Sequence, residues 1–263
     1  MPYQFDIISD TFIESWPDLD LSMIATSPYC IFAGGAGHDR NTVIDFLTDL
    51  QQCYDTVFYI DGDDEHIVEL PHGIDDSYED LLSSLGESDD LVYLQNHVVI
   101  ANKIAIVGTN GWWDFAFDPY VDPQQAKQWW CSENHLGPEH ASEVRELALA
   151  DATYLINTLE RLHTMEEVEK IIVVTHTVPL YELIEHDPDV TESMHSSIMG
   201  NSVFKSLLKQ APTHKVDTWI FGQYGGDIDT VKHGIRFVNN CRNKRTSRHA
   251  KSVYHPKRIT VKL

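Results

Sequence analysis

The chain has 263 residues, of which 42% are hydrophobic and 23% are charged, a balance typical of a folded globular domain. No apolar run approaches the roughly 18 to 20 residues that a membrane-spanning helix needs, and the first residues lack the basic and apolar regions of a secretion signal. The four cysteines show neither zinc-binding nor disulfide spacing. These features predict a soluble cytoplasmic protein without membrane contact.

Charge is distributed very unevenly along the chain. The formal net charge is −22, yet residues 242–263 hold eight of the nineteen lysines and arginines and no acidic residue. An acidic body repels nucleic-acid backbones, so nucleic-acid binding is conceivable only through this basic segment. We predict a body over residues 1–240 and a basic carboxyl-terminal arm over 241–263 that packs on the same domain. The candidate binding residues of the arm are Arg242, Lys244, Arg245 and Arg248.

The first third of the chain alternates short apolar runs with a helical pattern. Strands are predicted at residues 5–9, 29–33 and 57–60 because apolar and β-branched residues cluster there. Between the last two, residues 41–53 place apolar side chains at helical spacing, with Asp39 or the first residue of the run as N-cap. This order predicts a β-α-β unit.

The middle of the chain combines helical patterns with an aromatic segment. A short helix is predicted over residues 75–85, and residues 97–100 and 103–107 are predicted to form a β-hairpin. Six tryptophan and phenylalanine residues and two prolines between residues 109 and 134 indicate an irregular loop whose rings are buried by packing. A long helix is predicted from residue 138 to about residue 163.

The last third returns to strands. A buried strand is predicted at residues 170–175, with His176 at its carboxyl end, and a helix then ends near Gln210. Further strands are predicted at residues 218–221, 227–231 and 235–239. The alternation of strands and helices predicts an α/β fold.

Five motifs with glycine or polar residues lie at the ends of predicted strands. In chain order they are Ile8-Ser9-Asp10-Thr11-Phe12, Phe32-Ala33-Gly34-Gly35, Asp61-Gly62-Asp63-Asp64-Glu65-His66, Val174-Thr175-His176-Thr177 and Phe221-Gly222-Gln223-Tyr224-Gly225. Together they resemble the calcineurin-like metallophosphoesterase superfamily, in its small bacterial or phage type, over about residues 5–240. The resemblance implies a four-layer α/β/β/α sandwich of two mixed β-sheets flanked by helices. It also implies two metal ions that activate water and clamp phosphoryl oxygens.

Three positions keep a residue that could bind metal by this resemblance. Asp10 matches the first aspartate of the family pattern, and His176 matches the histidine of its Thr-His pair. Asp63 stands where the family has an asparagine ligand and still offers an oxygen. The remnant candidates for metal binding are therefore Asp10, Asp63 and His176.

Five other positions have lost the expected residue. Phe12 stands where the first motif has a histidine ligand, and Gly35 stands where an aspartate bridges both metals. Asp64 occupies the position of the catalytic histidine. Gln223 and Gly225 replace the two histidines of the last motif. The losses remove the first metal site and the bridge, so no catalytic residue is assigned and we expect no cofactor.

A remnant or relocated metal site stays open as an alternative. Carboxylates and imidazoles suit Mn, Fe or Zn, while the acidic run of the third motif would suit Mg or Ca. The residues that could rebuild a site near the strand ends are His38, Asp39, Asp64, His66, Asp227 and Asp229.

These observations lead to three hypotheses. The leading one is a non-hydrolytic protein of metallophosphoesterase fold that acts in binding, as a scaffold or in a virion, with an unidentified protein partner. The second is a metal-dependent phosphomonoesterase or phosphodiesterase that uses the remnant or relocated site. The third is an inert core whose basic arm binds a partner or nucleic acid.

Overall fold

A computed structural model describes residues 2–16, 25–66, 90–191, 193–210 and 212–263 of the chain. The helix predicted over residues 75–85 lies outside these ranges. Two β-sheets pack face to face, and helices cover their outer faces.

The first sheet has five strands. Its order in space is β11 (Lys257–Val261), β1 (Tyr3–Ile8), β2 (Tyr29–Ala33), β3 (Thr56–Ile60) and β4 (Leu91–Tyr93). Strands β1 to β4 are parallel, whereas β11 is antiparallel to β1. The carboxyl ends of four strands therefore lie along one edge.

The second sheet has six strands. Its order in space is β5 (His97–Ala101), β6 (Ile104–Thr109), β7 (Lys170–Thr175), β8 (Val216–Phe221), β10 (Ile235–Asn239) and β9 (Asp229–Lys232). The four inner strands are parallel, and β5 and β9 are antiparallel edge strands. Both sheets are therefore mixed.

Five α-helices belong to the described residues: α1 (Arg40–Cys53), α2 (Pro123–Glu133), α3 (Pro138–Thr164), α4 (Pro188–Thr191) and α5 (Val203–Gln210). Helix α1 packs on the outer face of the first sheet, while α3 and α5 pack on the outer face of the second. This arrangement confirms the predicted α/β/β/α architecture. Within the described residues, no helix combines the length and apolar character that crossing a membrane requires.

Side-chain alternation along the strands explains the layers. In β1, Phe5 and Ile7 face the core between the sheets, whereas Ile8 faces the core beneath α1.

Helix α1 begins after Asp39, whose Oδ1 accepts a hydrogen bond from the backbone N–H of Thr42 at 2.9 Å. The predicted β-α-β unit is therefore present.

Three parts of the fold differ from the sequence prediction. The aromatic segment is not irregular throughout, since α2 occupies residues 123–133, where Asp122 caps the helix and Pro123 takes its first position. Strands β4 and β11 were not predicted. Strand β9 begins at Asp229, two residues later than predicted, and Asp227 lies outside it.

The aromatic segment forms a core of its own. Trp112, Trp113, Phe115 and Trp130 are each at most 3% exposed and pack together with small residues of α3. Burial on this scale makes the rings part of the core, as the sequence interpretation expected.

The basic segment after residue 240 contributes to the first sheet. Strand β11 pairs with β1 in a register that places Ile259 opposite Phe5, and Ile259 is 1% exposed. Tyr254 is also buried, and its hydroxyl donates a hydrogen bond to the carbonyl oxygen of Asn240 at 2.5 Å. The core between the sheets therefore includes side chains of the arm.

Replacing Ile259 by alanine should test this contribution. The change removes buried methyl and methylene groups from the core between the sheets, so we expect the free energy of unfolding to fall by about 2–4 kcal/mol. Val253→Ala is the matched control, because Val253 is 72% exposed and its loss should change the free energy by less than about 0.5 kcal/mol. Urea denaturation of both variants measures the difference. Equal stability of the two would contradict the packing described above.

Candidate functional site

The strand ends of both sheets meet at one edge of the molecule. Asp10 follows β1, Gly34 follows β2, and the motif that begins at Asp61 follows β3. From the second sheet, His176 follows β7 and Gln223 comes shortly after β8. In α/β folds, binding sites form at such carboxyl edges, and the five motifs therefore define the candidate site.

Asp10 is buried at the centre of this edge, with 4% exposure. The backbone N–H of Gln223 lies 3.1 Å from each of its carboxylate oxygens, and the thiol of Cys241 lies 2.9 Å from Oδ2. Its own backbone N–H donates to the carbonyl oxygen of Gly34 at 2.8 Å. Burial raises the pKa of Asp10 above its ordinary value, although His176 and the Cys241 thiol act in the opposite direction. Asp10 therefore joins segments that follow four different strands.

Residue 35, where the resemblance predicts an aspartate that bridges two metals, is enclosed by close packing. Gly35 has a φ of +73°, and a Cβ atom on it would lie 2.8 Å from the Cα atom of Asp10. Gly34 and Gly62 are similarly restricted, because a Cβ on either would approach the imidazole of His176 within 2.7 Å. A side chain at residue 35 would therefore collide with Asp10.

Glu65 binds the backbone around this position. Its carboxylate accepts hydrogen bonds from the N–H groups of Gly35 (3.2 Å), Ala36 (2.8 Å) and Gly62 (3.0 Å), and from the hydroxyl of Tyr59 (3.2 Å). Burial raises the pKa of Glu65 to about 7. Glu65 thus fixes the glycine loops after β2 and β3 and does not face an open site.

His176 is 1% exposed and contacts two acceptors. Its Nδ1 atom lies 2.8 Å from the carbonyl oxygen of Ala33, which can only accept, so Nδ1 carries a hydrogen. Its Nε2 atom lies 3.0 Å from Oδ1 of Asp63. Burial disfavours the charged imidazole, but the hydrogen bond with Asp63 and the negative charge of Asp10 outweigh it and raise the pKa of His176 to about 10.

Each acidic residue of the third motif has a partner of its own. Asp61 lies 2.5 Å from Nε2 of His66 and accepts a hydrogen bond from the hydroxyl of Tyr93 at 2.8 Å. Asp64 pairs with the ammonium group of Lys244 at 3.1 Å. Burial and the neighbouring charge of Asp63 raise the pKa of Asp64 to about 6. These partners offset part of the repulsion expected among the carboxylates.

Three further residues of the motifs, Phe12, Gln223 and Gly225, make contacts unlike those of metal ligands. The Nζ atom of Lys244 lies 4.6 Å from the ring centre of Phe12. Gln223 donates its side-chain amide to the carbonyl oxygen of Ile198 at 3.0 Å. A Cβ atom on Gly225 would lie 2.7 Å from Oδ1 of Asn243, so this turn packs directly on the arm.

The four candidate binding residues of the arm all have partners on the body. The guanidinium groups of Arg242 and Arg245 lie 4.3 and 4.6 Å from the ring centre of Trp16. Arg248 forms an ion pair with Asp187. With Lys244 paired to Asp64, the cations of this segment serve contacts within the chain.

The residues at this edge do not fit a dinuclear metal centre. Among the residues that the structure describes, no group of three or more histidine, cysteine or acidic side chains is arranged to hold a metal ion. The candidates for a relocated site have other roles, since Asp39 caps α1, His66 pairs with Asp61, and Asp229 pairs with Arg236. Zinc alone takes about four ligands, which this edge does not supply.

Sequence reasoning missed two residues that determine the site. Lys244 was assigned to a binding arm, and the structure places its ammonium beside Phe12 and Asp64. Cys241 was treated as one of four scattered thiols, and it contacts Asp10. Neither contact had a local sequence signal, because the partners are 180 and 231 positions apart.

Comparisons with known proteins identify the fold. Neither protein-family models nor curated protein sequences match this chain. Among solved structures, the phosphopantetheinyl hydrolase PptH of Mycobacterium tuberculosis matches with a TM-score of 0.69 and 17% identity, over 98% of this chain and 96% of that one. A Staphylococcus aureus protein assigned as a 5′-nucleotidase matches with a TM-score of 0.51 and 12% identity, over 92% of this chain and 49% of that one.

The two structural neighbours support the predicted calcineurin-like phosphoesterase fold. At such low identity the likeness concerns the fold alone. The narrower assignment to a small bacterial or phage type stays a prediction.

The closed packing at Gly35 gives a direct mutational test. Gly35→Ala should lower the free energy of unfolding by about 3 kcal/mol or more, because it combines strain at positive φ with a collision against Asp10. Gly234→Ala is the matched control, since Gly234 has a φ of +78° and no atom lies within 4 Å of the place that its Cβ would take. The control should lose only about 1 kcal/mol. Denaturation curves that superpose for the two variants would show that a Cβ atom fits at residue 35 without a collision.

The raised pKa of His176 predicts a pH dependence of stability. An unfolded histidine has a pKa near about 6.5, so between that value and about 10 the folded chain holds one more proton than the unfolded chain. This stabilising contribution is complete below about pH 6.5 and is lost as the pH rises through about 10. We expect the free energy of unfolding to decline from pH 7 to 10, and to decline less in Asp63→Asn.

Urea denaturation at one-unit pH steps measures this effect. Asp227→Asn serves as the control, because it removes an ion pair with Lys257 that does not involve His176. The control should keep the wild-type slope. An unchanged slope in Asp63→Asn would contradict the charged pair.

Proposed function

We propose that this chain is a non-hydrolytic protein of metallophosphoesterase fold that acts by binding a protein partner, as a scaffold or a virion component. The observation that carries the proposal is the packing around Gly35. Glycine at the bridging position, held by Glu65 and closed against Asp10, removes the ligand on which a two-metal mechanism depends. The chain thus keeps the framework of the fold but lacks metal ligands that phosphoester hydrolysis would need.

A protein partner fits the surface better than nucleic acid does. Acidic residues dominate the body, which disfavours a polyanionic ligand at long range. The cations of the arm that were candidates for nucleic-acid binding support contacts with Trp16, Asp64 and Asp187. Binding of nucleic acid through the arm would require these contacts to be released. A cytoplasmic location is part of the proposal.

A second candidate is a metal-dependent hydrolase of phosphomonoesters or phosphodiesters. Two observations favour it: the structural neighbours include phosphoesterase-type hydrolases, and Nε2 of His176 faces Asp63 while Nδ1 is fixed by a carbonyl. A histidine that ligates a metal is commonly fixed in this way through its other ring nitrogen. Asp10, Asp63, His176 and recruited carboxylates would then hold the ion, which could be Mn, Fe, Zn, Mg or Ca.

One experiment separates the two candidates. Purified protein is incubated with Mn²⁺, Ni²⁺ or Mg²⁺ and bis-p-nitrophenyl phosphate, beside an Asp10→Asn variant that keeps the shape of the side chain. We expect both proteins to give the same rate as buffer, and elemental analysis to find less than one bound ion per chain. Hydrolysis by the wild type above the variant, with stoichiometric metal, would instead establish the hydrolase.

A further inference from the structure

Lys244 brings a positive charge into the edge where the strand ends meet. Its Nζ atom lies 3.1 Å from Oδ1 of Asp64 and 4.6 Å from the ring centre of Phe12. One ammonium group therefore contacts two residues of the candidate site.

The two residues that contact this ammonium stand at positions where the resembling family has imidazoles. Phe12 replaces the ligand histidine of the first motif, and Asp64 replaces the catalytic histidine. An aromatic face and a carboxylate both bind an ammonium ion, the first through the ring quadrupole and the second through charge-assisted hydrogen bonds. The two substitutions and Lys244 thus form a complementary set.

The backbone holds Lys244 in this place. The N–H groups of Arg242 and Asn243 donate to the carbonyl oxygens of Ser9 (3.1 Å) and Asp10 (2.9 Å), so the arm runs alongside the end of β1. Asn243 itself adopts a φ of 72°, and its carbonyl oxygen accepts a hydrogen bond from the indole of Trp16 at 2.8 Å. These contacts end one residue before Lys244. The backbone next to Lys244 is therefore held in place beside the site.

We propose that Lys244 is a tethered cation that takes the place of a divalent metal ion at the strand ends. The ammonium compensates Asp64, and His176 compensates the adjacent Asp63. As long as Lys244 is present, a divalent cation gains little by entering, because it would have to displace a charge that the chain supplies. Removal of the Lys244 ammonium leaves Asp63 and Asp64 with one positive charge fewer beside them. The place of the ammonium is then open to Mg²⁺, Ca²⁺ or Mn²⁺.

The proposal rests on the proposed absence of hydrolysis, but its test does not measure hydrolysis. Thermal unfolding is recorded for the wild type and for Lys244→Met, each with EDTA or with saturating MnCl₂. We expect no change in the wild type, whereas the Lys244→Met transition should rise by about 3 °C or more with Mn²⁺. The double variant Asp64→Asn/Lys244→Met should lose this rise, because one of the two carboxylates is gone.

Lys257→Met is the matched control. Lys257 is also a lysine of the arm that pairs with an aspartate, Asp227, and neither residue belongs to the candidate site. Its loss should create no response to Mn²⁺. If Lys244→Met does not fold in EDTA, the proposal requires that Mn²⁺ restore a cooperative transition.

Three outcomes would overturn the proposal. They are a Lys244→Met variant that neither gains stability nor folds with Mn²⁺, a wild type that responds as strongly as Lys244→Met, and a double variant that keeps the full response. Each leaves the hydrolysis assay unaffected, so failure of this proposal and failure of the proposed function can be told apart.

Discussion

The buried carboxylate of Asp10 is the interaction on which the edge of the sandwich depends. It is bound by the backbone after β8 and by the thiol after β10, while its main chain binds the loop after β2. Leaving a buried charge or its donors without partners costs several kcal/mol, so each of these segments is held to the same point. This role gives Asp10 a structural function that requires no metal ion. An aspartate at the expected position is therefore weak support for a bound metal.

The edge achieves electrostatic balance by means of its own side chains. Asp61 pairs with His66 and Asp63 pairs with His176, while Glu65 accepts hydrogen bonds from three backbone N–H groups. In a metal enzyme the ions would supply much of this compensation, and the carboxylates would be free to move with them. Here the compensating groups are fixed by covalent attachment to the fold. The result is an edge in which these carboxylates are bound by groups of the chain itself.

The sequence was sufficient for the framework because the signals there are local. Strand runs such as residues 29–33 and 170–175 and the helix after Asp39 are defined by near neighbours, and the five motifs fall at strand ends as predicted. Strand β11 was missed because the exposed Arg258 and Thr260 alternate with the buried Ile259 and Val261 in a basic segment, a pattern that resembles a solvated tail until β1 is placed beside it. Helix α2 was missed because its tryptophans outweighed the capping signal at Asp122.

The pairing of β1 with β11 has a consequence for how the chain folds. Ser9 and Tyr254, which hydrogen-bond to each other, are separated by 245 positions, and the contacts between β1 and β11 span a similar distance. Closing such long loops is entropically costly and slows folding relative to local contacts. During synthesis, one edge of β1 therefore stays unpaired until nearly all the described residues have been made. An exposed edge of this kind is a template for pairing between chains, and the vulnerable interval for aggregation ends only when β11 docks.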